Sequence, residues 1–441
     1  MQRCTRQRAR ILAAAVGALA FTSLTFGKTV TWTGAVVDPD SATYTDASAE
    51  AEDGGLVDNT PFYAWTNGSG ANWSGGNYAV GDDVVFTDNF AGGAVVRMTS
   101  SSLNPRAMTF TDAGGGAVTY YFLRSGDFLD VNAVGVSGNT PFGAANPSTV
   151  ITLDTGFDGK VVFRPRANSG ALNGLTIIRS GTLEIQDALA LPGTTSTNSP
   201  AVILAGGTFA VNISSAGNFQ PASSNLTGSL AVVADSTLSQ NRDATTAAGA
   251  AVGSARIWNG PMLFPDPSRT LTLVNGAIAD ANPAVRVDLA ANSLAFATGT
   301  FKLVDGPNNN TTVRLGGAAG FNATFDVGVG SSILESTSSG TQAIGALSGG
   351  SANTIVRGSN NTLAIGGKNV NATYSGQITD NVAAASITNI AKVGSGVQTL
   401  SGDLSVAGSF TGTTTVAGGT LRLDYTINST KLADVAALNL G

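Results

Sequence analysis

Short alternations of apolar and polar residues recur along this chain, each opened by a corner residue and a threonine. Gly181-Thr-Leu-Glu-Ile185, Gly207-Thr-Phe-Ala-Val211, Arg269-Thr-Leu-Thr-Leu273, Gly299-Thr-Phe-Lys-Leu303, Asn361-Thr-Leu-Ala-Ile365, Gln398-Thr-Leu-Ser-Gly402 and Gly419-Thr-Leu-Arg-Leu423 share this form. A period of two puts the apolar positions on one side of a strand and predicts that this side is buried. Between the first apolar positions (Leu183, Phe209, Leu271, Phe301, Leu363, Leu400, Leu421) the steps are 26, 62, 30, 62, 37 and 21 residues. The shortest step fits one turn of a parallel β-helix and 62 fits about three, given repeat periods of twenty-odd residues. Uneven steps imply loops of different length thrown out between strands. No segment sustains a helical period; Leu432 to Leu438 offers one or two helical turns at most.

Such a winding is stable because each strand hydrogen-bonds to the strand of the next turn, while inward Val, Leu, Ile and Phe stack in rows. Gly and Asn at the corners tolerate the left-handed backbone that β-branched residues resist. Asn308-Asn-Asn310 and Asn360-Asn361 are read first as solvated turn residues, with amide ladders between turns as the alternative. The segment from Lys28 to Asp130 differs in holding Trp32, Trp65 and Trp73 together with Phe62, Tyr63, Tyr78, Tyr120, Tyr121 and Phe122. These rings are predicted to cover the open first turn of the stack. Asp82-Asp83 then forms a corner and Val84-Val85-Phe86 the first well-buried strand, while Asp40 to Asp58 reads as an irregular loop. Trp258, before Asn259-Gly260-Pro261, reads as a core or loop aromatic flanking a turn.

Composition narrows the choice. Of 441 residues 42% are hydrophobic and 12% charged, which argues against intrinsic disorder. The 56 glycines follow no Gly-X-Y period, which excludes collagen. Arg3, Arg6, Arg8 and Arg10 precede an apolar run from Ile11 to Phe21, the pattern of a secretory leader over residues 1–27, with cleavage after Ala20 or near Gly27. Losing those four arginines takes the formal charge from −6 to −6 − 4 = −10. An acidic surface disfavours nucleic acid and anionic lipid. The one cysteine, Cys4, lies inside the leader, so the exported chain is expected to have no disulfide and no thiolate metal site. Histidine is absent, which removes Ser-His-Asp triads and ordinary zinc sites.

What remains is carboxylate, Arg/Lys, Tyr or calcium chemistry. Candidate acids are Asp38 with Asp40, Asp82 with Asp83, and Asp154 with Asp158; candidate cations are Arg164 and Arg166. Two carboxylates that share a sugar must lie about 5–9.5 Å apart. Adjacent strand residues such as Asp82 and Asp83 face opposite sides, which argues against that couple. Asp154 and Asp158 lack the density of oxygen ligands of a dedicated calcium loop. We therefore assign no catalytic, cofactor-binding or metal-ligating residue and expect no cofactor. Trp65, Trp73 and Tyr78 could stack on sugar rings if they stood on a surface; burial as a structural cap is the expectation given how aromatic rings are used.

The C-terminal run Lys392-Val-Gly-Ser-Gly-Val-Gln-Thr-Leu-Ser-Gly402, followed by Phe410-Thr-Gly-Thr-Thr-Thr-Val-Ala-Gly-Gly-Thr-Leu-Arg-Leu423, resembles the autotransporter-associated β-strand repeat. Trp65-Thr-Asn-Gly-Ser-Gly-Ala-Asn-Trp-Ser-Gly-Gly76 with Gly81-Asp-Asp-Val-Val-Phe86 is similar to the segment that precedes the solenoid in proteins carrying that repeat. The resemblance implies a bacterial surface or secreted scaffold, the passenger-type part of an autotransporter-like protein, and names no ligand. Sequence and resemblance together predict an all-β, right-handed parallel β-helix with an aromatic-rich N-terminal cap. The expected divisions are 1–27 leader, 28–130 cap and first strands, 131–390 body with irregular turns, and 391–441 strand repeat. No run of ten-residue amphipathic strands suits a membrane barrel, and Leu438-Asn-Leu-Gly441 stops on a strand pattern, which predicts a piece of a longer protein, with a different mode of anchoring as the alternative. The expected role is a structural or adhesive solenoid, exported to the cell surface or beyond. Extracellular polysaccharide or a cell-surface matrix is its expected partner, and any membrane contact comes through an anchor outside this chain. A polysaccharide-binding module using the N-terminal aromatics, or a carboxylate- or calcium-dependent polysaccharide lyase or hydrolase, are the alternatives.

Overall fold

Alternation is visible residue by residue in strand Asp83–Thr87, where Val84 and Phe86 are buried and their neighbours half-buried, and again in Ala107–Thr111 and Thr300–Val304. In a computed structural model of the chain, nearly every regular element is a strand; Ala291–Leu294 is a single helical turn. Described are residues 27–36, 62–66, 68–88, 93–98, 103, 105–124, 149–164, 175–185, 202–212, 225–226, 229–241, 255–258, 260–275, 286–306, 311–317, 322–337, 340–381, 386–403, 410–426 and 438–440. Residues 1–26 of the leader, the loop at Asp40 to Asp58, Asn308 to Asn310 and, of the segment Leu432 to Leu438, residues 432–437 lie outside them, whereas Leu438 opens a strand rather than closing a helical turn. The chain forms two compact units, one of Met1–Ser214 with Gly228–Val233 and one of Ser215–Thr227 with Ala234–Gly441.

In the first unit, from strand Asp83–Thr87 to strand Thr208–Asn212, successive strands go alternately to two sheets, and within each sheet nearly all neighbours are parallel. Phe86 is paired with Phe110, Phe110 with Leu153, Leu153 with Ile178, Ile178 with Leu204 and Leu204 with Val232. All six are fully buried, one row of the core running through consecutive turns. Val96, Phe122, Phe163, Ile185 and Val211 form the corresponding row of the other sheet. The rings of Phe86 and Phe110 stack at 5.0 Å and those of Phe122 and Phe163 at 4.9 Å. Each ring so buried stabilises by about 1.5–3 kcal/mol.

In the second unit the same principle serves several faces. Leu271, Phe301, Phe325 and Leu347 form one row, with Phe301 on Phe325 at 5.2 Å. Val287, Val313, Leu334, Val356 and Ile378 form another, and Ile344, Ile365, Lys392 and Val416 occupy equivalent positions on a third. The fold is a parallel β-helix, a solenoid of stacked sheets with an aromatic cap at its N-terminal end.

All seven Thr-led motifs are strands, but the turns are counted differently from the spacing of those motifs. From Phe301 the same face is reached again at Phe325 and Leu347, whereas Leu363 belongs to another sheet and pairs with Ile390. The 62-residue and 37-residue steps that end at Leu363 and Leu400 therefore join different faces and are not whole numbers of turns. The step of 21 is displaced too: Leu400 pairs with Leu423, 23 residues on, and Leu421 pairs with Gln398. Strand-like sequence alone does not distinguish registers that differ by two residues, because both keep the same side chains inside.

The corners use Asn as expected, since Asn360 (φ 54°) and Asn369 (φ 60°) hold the left-handed backbone. The amide-ladder alternative takes a different form. Asn361 is flanked in register by Gly340 and Thr388, so no stack of like amides forms there. Instead, side-chain oxygens accept backbone N–H groups of the following turn: Asn360 from Ile387 at 2.9 Å, Asn369 from Ser395 at 2.8 Å, Asn371 from Val397 at 2.9 Å and Asn389 from Thr413 at 2.8 Å. Turns also approach too closely for a side chain at some glycines. Gly328, at φ 72°, would place a Cβ 2.1 Å from the Leu303 carbonyl oxygen. Gly328→Ala is expected to lower the urea midpoint by an amount equivalent to more than about 1 kcal/mol; an unchanged midpoint would show that this corner can relax.

Candidate functional site

The N-terminal aromatics and the carboxylates are the two places where the sequence offers chemistry. Thr29–Trp32 pairs in parallel with Asp83–Thr87 on one side and antiparallel with Trp73–Ser74 on the other, so the parallel stacking ends at a two-residue strand. Covering a sheet edge in this way blocks strand addition. Behind it, Trp73 meets Trp32 at 4.9 Å, Trp65 at 5.4 Å and Tyr78 at 5.7 Å, while Trp65 meets Tyr78 at 5.2 Å and Phe86 at 6.0 Å. Most of these are edge-to-face pairs, the arrangement that ring quadrupoles favour.

Three polar side chains tie the cap together. Asn72 accepts the Val36 N–H at 2.8 Å and donates to the Ala64 carbonyl at 3.2 Å. Asp82 accepts the N–H groups of Lys28 (3.1 Å) and Ala79 (2.8 Å), and the Tyr78 hydroxyl donates to the Leu103 carbonyl.

Trp65, Trp73 and Tyr78 are thus brought together, but at 0%, 6% and 0% exposure. Their faces are taken up by one another, so none of these three presents a free face to a sugar, and the cap assignment accounts for them. Burial, and secondarily Asp82, pushes the Tyr78 hydroxyl pKa well above its ordinary value; burial does the same for Tyr120 and Tyr374. A raised folded pKa means that stability is intact below the unfolded value of about 10 and falls as pH rises beyond it. Alkaline spectrophotometric titration should therefore show Tyr78, Tyr120 and Tyr374 ionising only together with unfolding. Smooth titration of every tyrosine in a still-folded chain would contradict their placement.

Of the candidate acidic pairs, Asp82 and Asp83 are turned apart. Asp82 is buried in the corner, whereas Asp83 points outward to Arg106, as opposite strand faces require. Asp154 pairs with Arg179 at 3.2 Å and accepts the Thr155 N–H at 2.9 Å, while exposed Asp158 stands beyond buried Phe157. Asp38, Asp40 and Arg166 lie outside the described residues, and Arg164 is described only as backbone at the end of strand Lys160–Arg164. Among the described residues no three His, Cys, Asp or Glu side chains are grouped to hold a metal ion.

Sequence reasoning missed the charged contacts that run from turn to turn. Asp288, Arg314, Glu335 and Arg357 are in register on four consecutive turns, with alternating sign. Glu335 is 2% exposed; its Oε2 accepts from Arg314 Nη2 at 2.9 Å and Nε at 3.1 Å, and its Oε1 accepts from Asn381 at 2.9 Å and lies 3.7 Å from Arg357 Nε. Glu184, likewise buried, meets Lys160 at 2.7 Å. The available signal was a single charged residue inside each of several short apolar strands, which becomes informative only once the register is known. Asp305 and Asp380 work similarly at corners: Asp305 accepts from Ser331 and Ser332, and Asp380 from Thr388 and Thr411.

This geometry defines a parallel β-solenoid in which buried polar side chains join one turn to the next. No family model, curated protein or solved structure matches the chain. No helix among the described residues is long and apolar enough to cross a membrane.

Proposed function

We propose that this chain is an exported structural solenoid, the passenger-type portion of a bacterial surface or secreted protein, whose task is to extend from the cell and make adhesive contacts. The observation that carries this reading is how the polar groups are spent. Glu335, Asp305, Asp380 and the corner asparagines are committed to holding turn on turn. Stacked repeats of this kind create long surfaces from nearest-neighbour contacts alone. The basic and apolar leader, the single cysteine within it, and the Lys392–Leu423 repeat support export. The partner is proposed to be extracellular polysaccharide or a cell-surface matrix, contacted through the outer strand faces and loops. Catalysis forms no part of the proposal.

Deleting the gene and scoring attachment of cells to polysaccharide-coated surfaces tests the adhesive role. Attachment should fall and return with the wild-type gene. Unchanged attachment on every coating would reject adhesion.

A further inference from the structure

Lys392 is the one charged side chain in an otherwise neutral inward row, lying between Ile365 and Val416 in register with Ile344 beyond. It is 1% exposed. Its ammonium donates to three carbonyls: Val393 at 2.5 Å, Gly394 at 3.0 Å and Gly418 at 3.2 Å. The first two belong to its own corner and the third to the corner one turn on. The glycines around it are needed there, since a Cβ at Gly366 would run into the Val393 carbonyl oxygen and one at Gly419 into the Gly394 carbonyl oxygen, two of the acceptors of Nζ. Burial holds the ammonium's pKa below the ordinary lysine value. Below that pKa, burying the charge therefore subtracts from stability, and the subtraction shrinks as pH rises toward the unfolded value. An aliphatic side chain would continue the row without that cost.

What the charge can supply is uniqueness. The last strands are ambiguous in sequence: Val397–Leu400 and Thr420–Leu423 match best with Thr399 opposite Thr420, yet they pair two residues away from that, with Thr399 opposite Arg422. Both registers keep the inward side chains inward. They differ at the ammonium. A slip of two residues moves a strand by about 6.6 Å. That carries Gly418 and Gly419 away from Nζ and brings Val416 over the corner at Gly394. The ammonium would lose its Gly418 carbonyl while still buried, a costly outcome for a charge.

We propose that Lys392 is the register key of the C-terminal strand repeat: its ammonium admits only the pairing that sets the Gly418-Gly419 corner over Val393-Gly394. It acts as a positioning residue for the turn that carries Thr414–Val416 and Thr420–Leu423, giving up some stability to exclude the slipped winding. A buried polar group that selects one register in this way has precedent in coiled coils.

Cysteine pairs read the register directly, in the full chain with Cys4 changed to serine. In-register neighbours on adjacent strands lie about 4.8 Å apart, within the roughly 4.4–6.8 Å span that a disulfide requires. A partner two residues away, at about 8 Å, is out of reach. With Lys392 present, Thr399→Cys with Arg422→Cys should oxidise fully, and Thr399→Cys with Thr420→Cys should remain reduced. In Lys392→Met the second pair should gain disulfide at the expense of the first. Lys368→Met should leave the pattern unchanged, because the Lys368 ammonium goes to Thr298 and Thr324. Lys392→Gln, shorter and uncharged, is the companion variant and should show the same exchange. If both Lys392 variants trap only the Thr399–Arg422 pair, or if both lose their strand spectrum in the far ultraviolet, the register assignment is overturned.

Discussion

Trp65→Ala is expected to lower the stability of the N-terminal unit by about 3–5 kcal/mol, the range for removing a large buried aromatic. Trp65 is fully buried against Trp73, Tyr78, Phe86 and Phe122. Its loss opens a cavity beside the strand Trp73–Ser74 on which the neighbouring sheet ends. The effect should appear as an earlier, less cooperative unfolding of the N-terminal unit in urea, followed by near-ultraviolet circular dichroism. Soluble glycans should not shift the wild-type transition through these rings. If the variant kept the wild-type midpoint, Trp65 would have to be a surface ring and the cap assignment would fall.

The second large effect is expected at Glu335. Glu335→Ala removes the acceptor for Arg314 and Asn381 and the countercharge to Arg357. Breaking a buried ion pair from one side costs about 3–5 kcal/mol; because both arginines keep 28% side-chain exposure, water offsets part of this and the lower end is expected. Asp154→Ala is the contrast. Its pair with Arg179 is exposed on both sides, so the loss should stay below about 1 kcal/mol. Urea midpoints of the two variants side by side decide the matter. Equal, small losses would mean that the ladder on the Glu335 face contributes no more than surface pairs do.

Much of the fold was legible because its signal is local. Thr-led alternation marked seven strands that are present, and the concentration of Trp, Tyr and Phe before residue 130 marked the cap. Registers were not legible, for a physical reason. A strand shifted by two residues buries the same faces, so Leu400 could be matched to Leu421 when its partner is Leu423. Faces were also interchangeable: Phe301 and Leu363 carry the same motif but belong to different sheets. The same limit hid the charged contacts. Arg314, Glu335 and Arg357 are 21 and 22 residues apart, and only the winding brings them side by side. Asp82 and Asp83, by contrast, were separable from sequence, since adjacent strand positions must face apart.

The stability of the stack and its place in the cell meet in one labelling experiment. Lys302 is exposed on strand Thr300–Val304, whereas Lys392 is sealed among carbonyls. Source cells are treated intact with a membrane-impermeant amine reagent and the two lysines are then quantified by mass spectrometry. An exported, folded solenoid predicts modification of Lys302 on intact cells with Lys392 unmodified until the protein is denatured. Lys302 that reacts only after the cells are broken would place the chain inside and contradict the account.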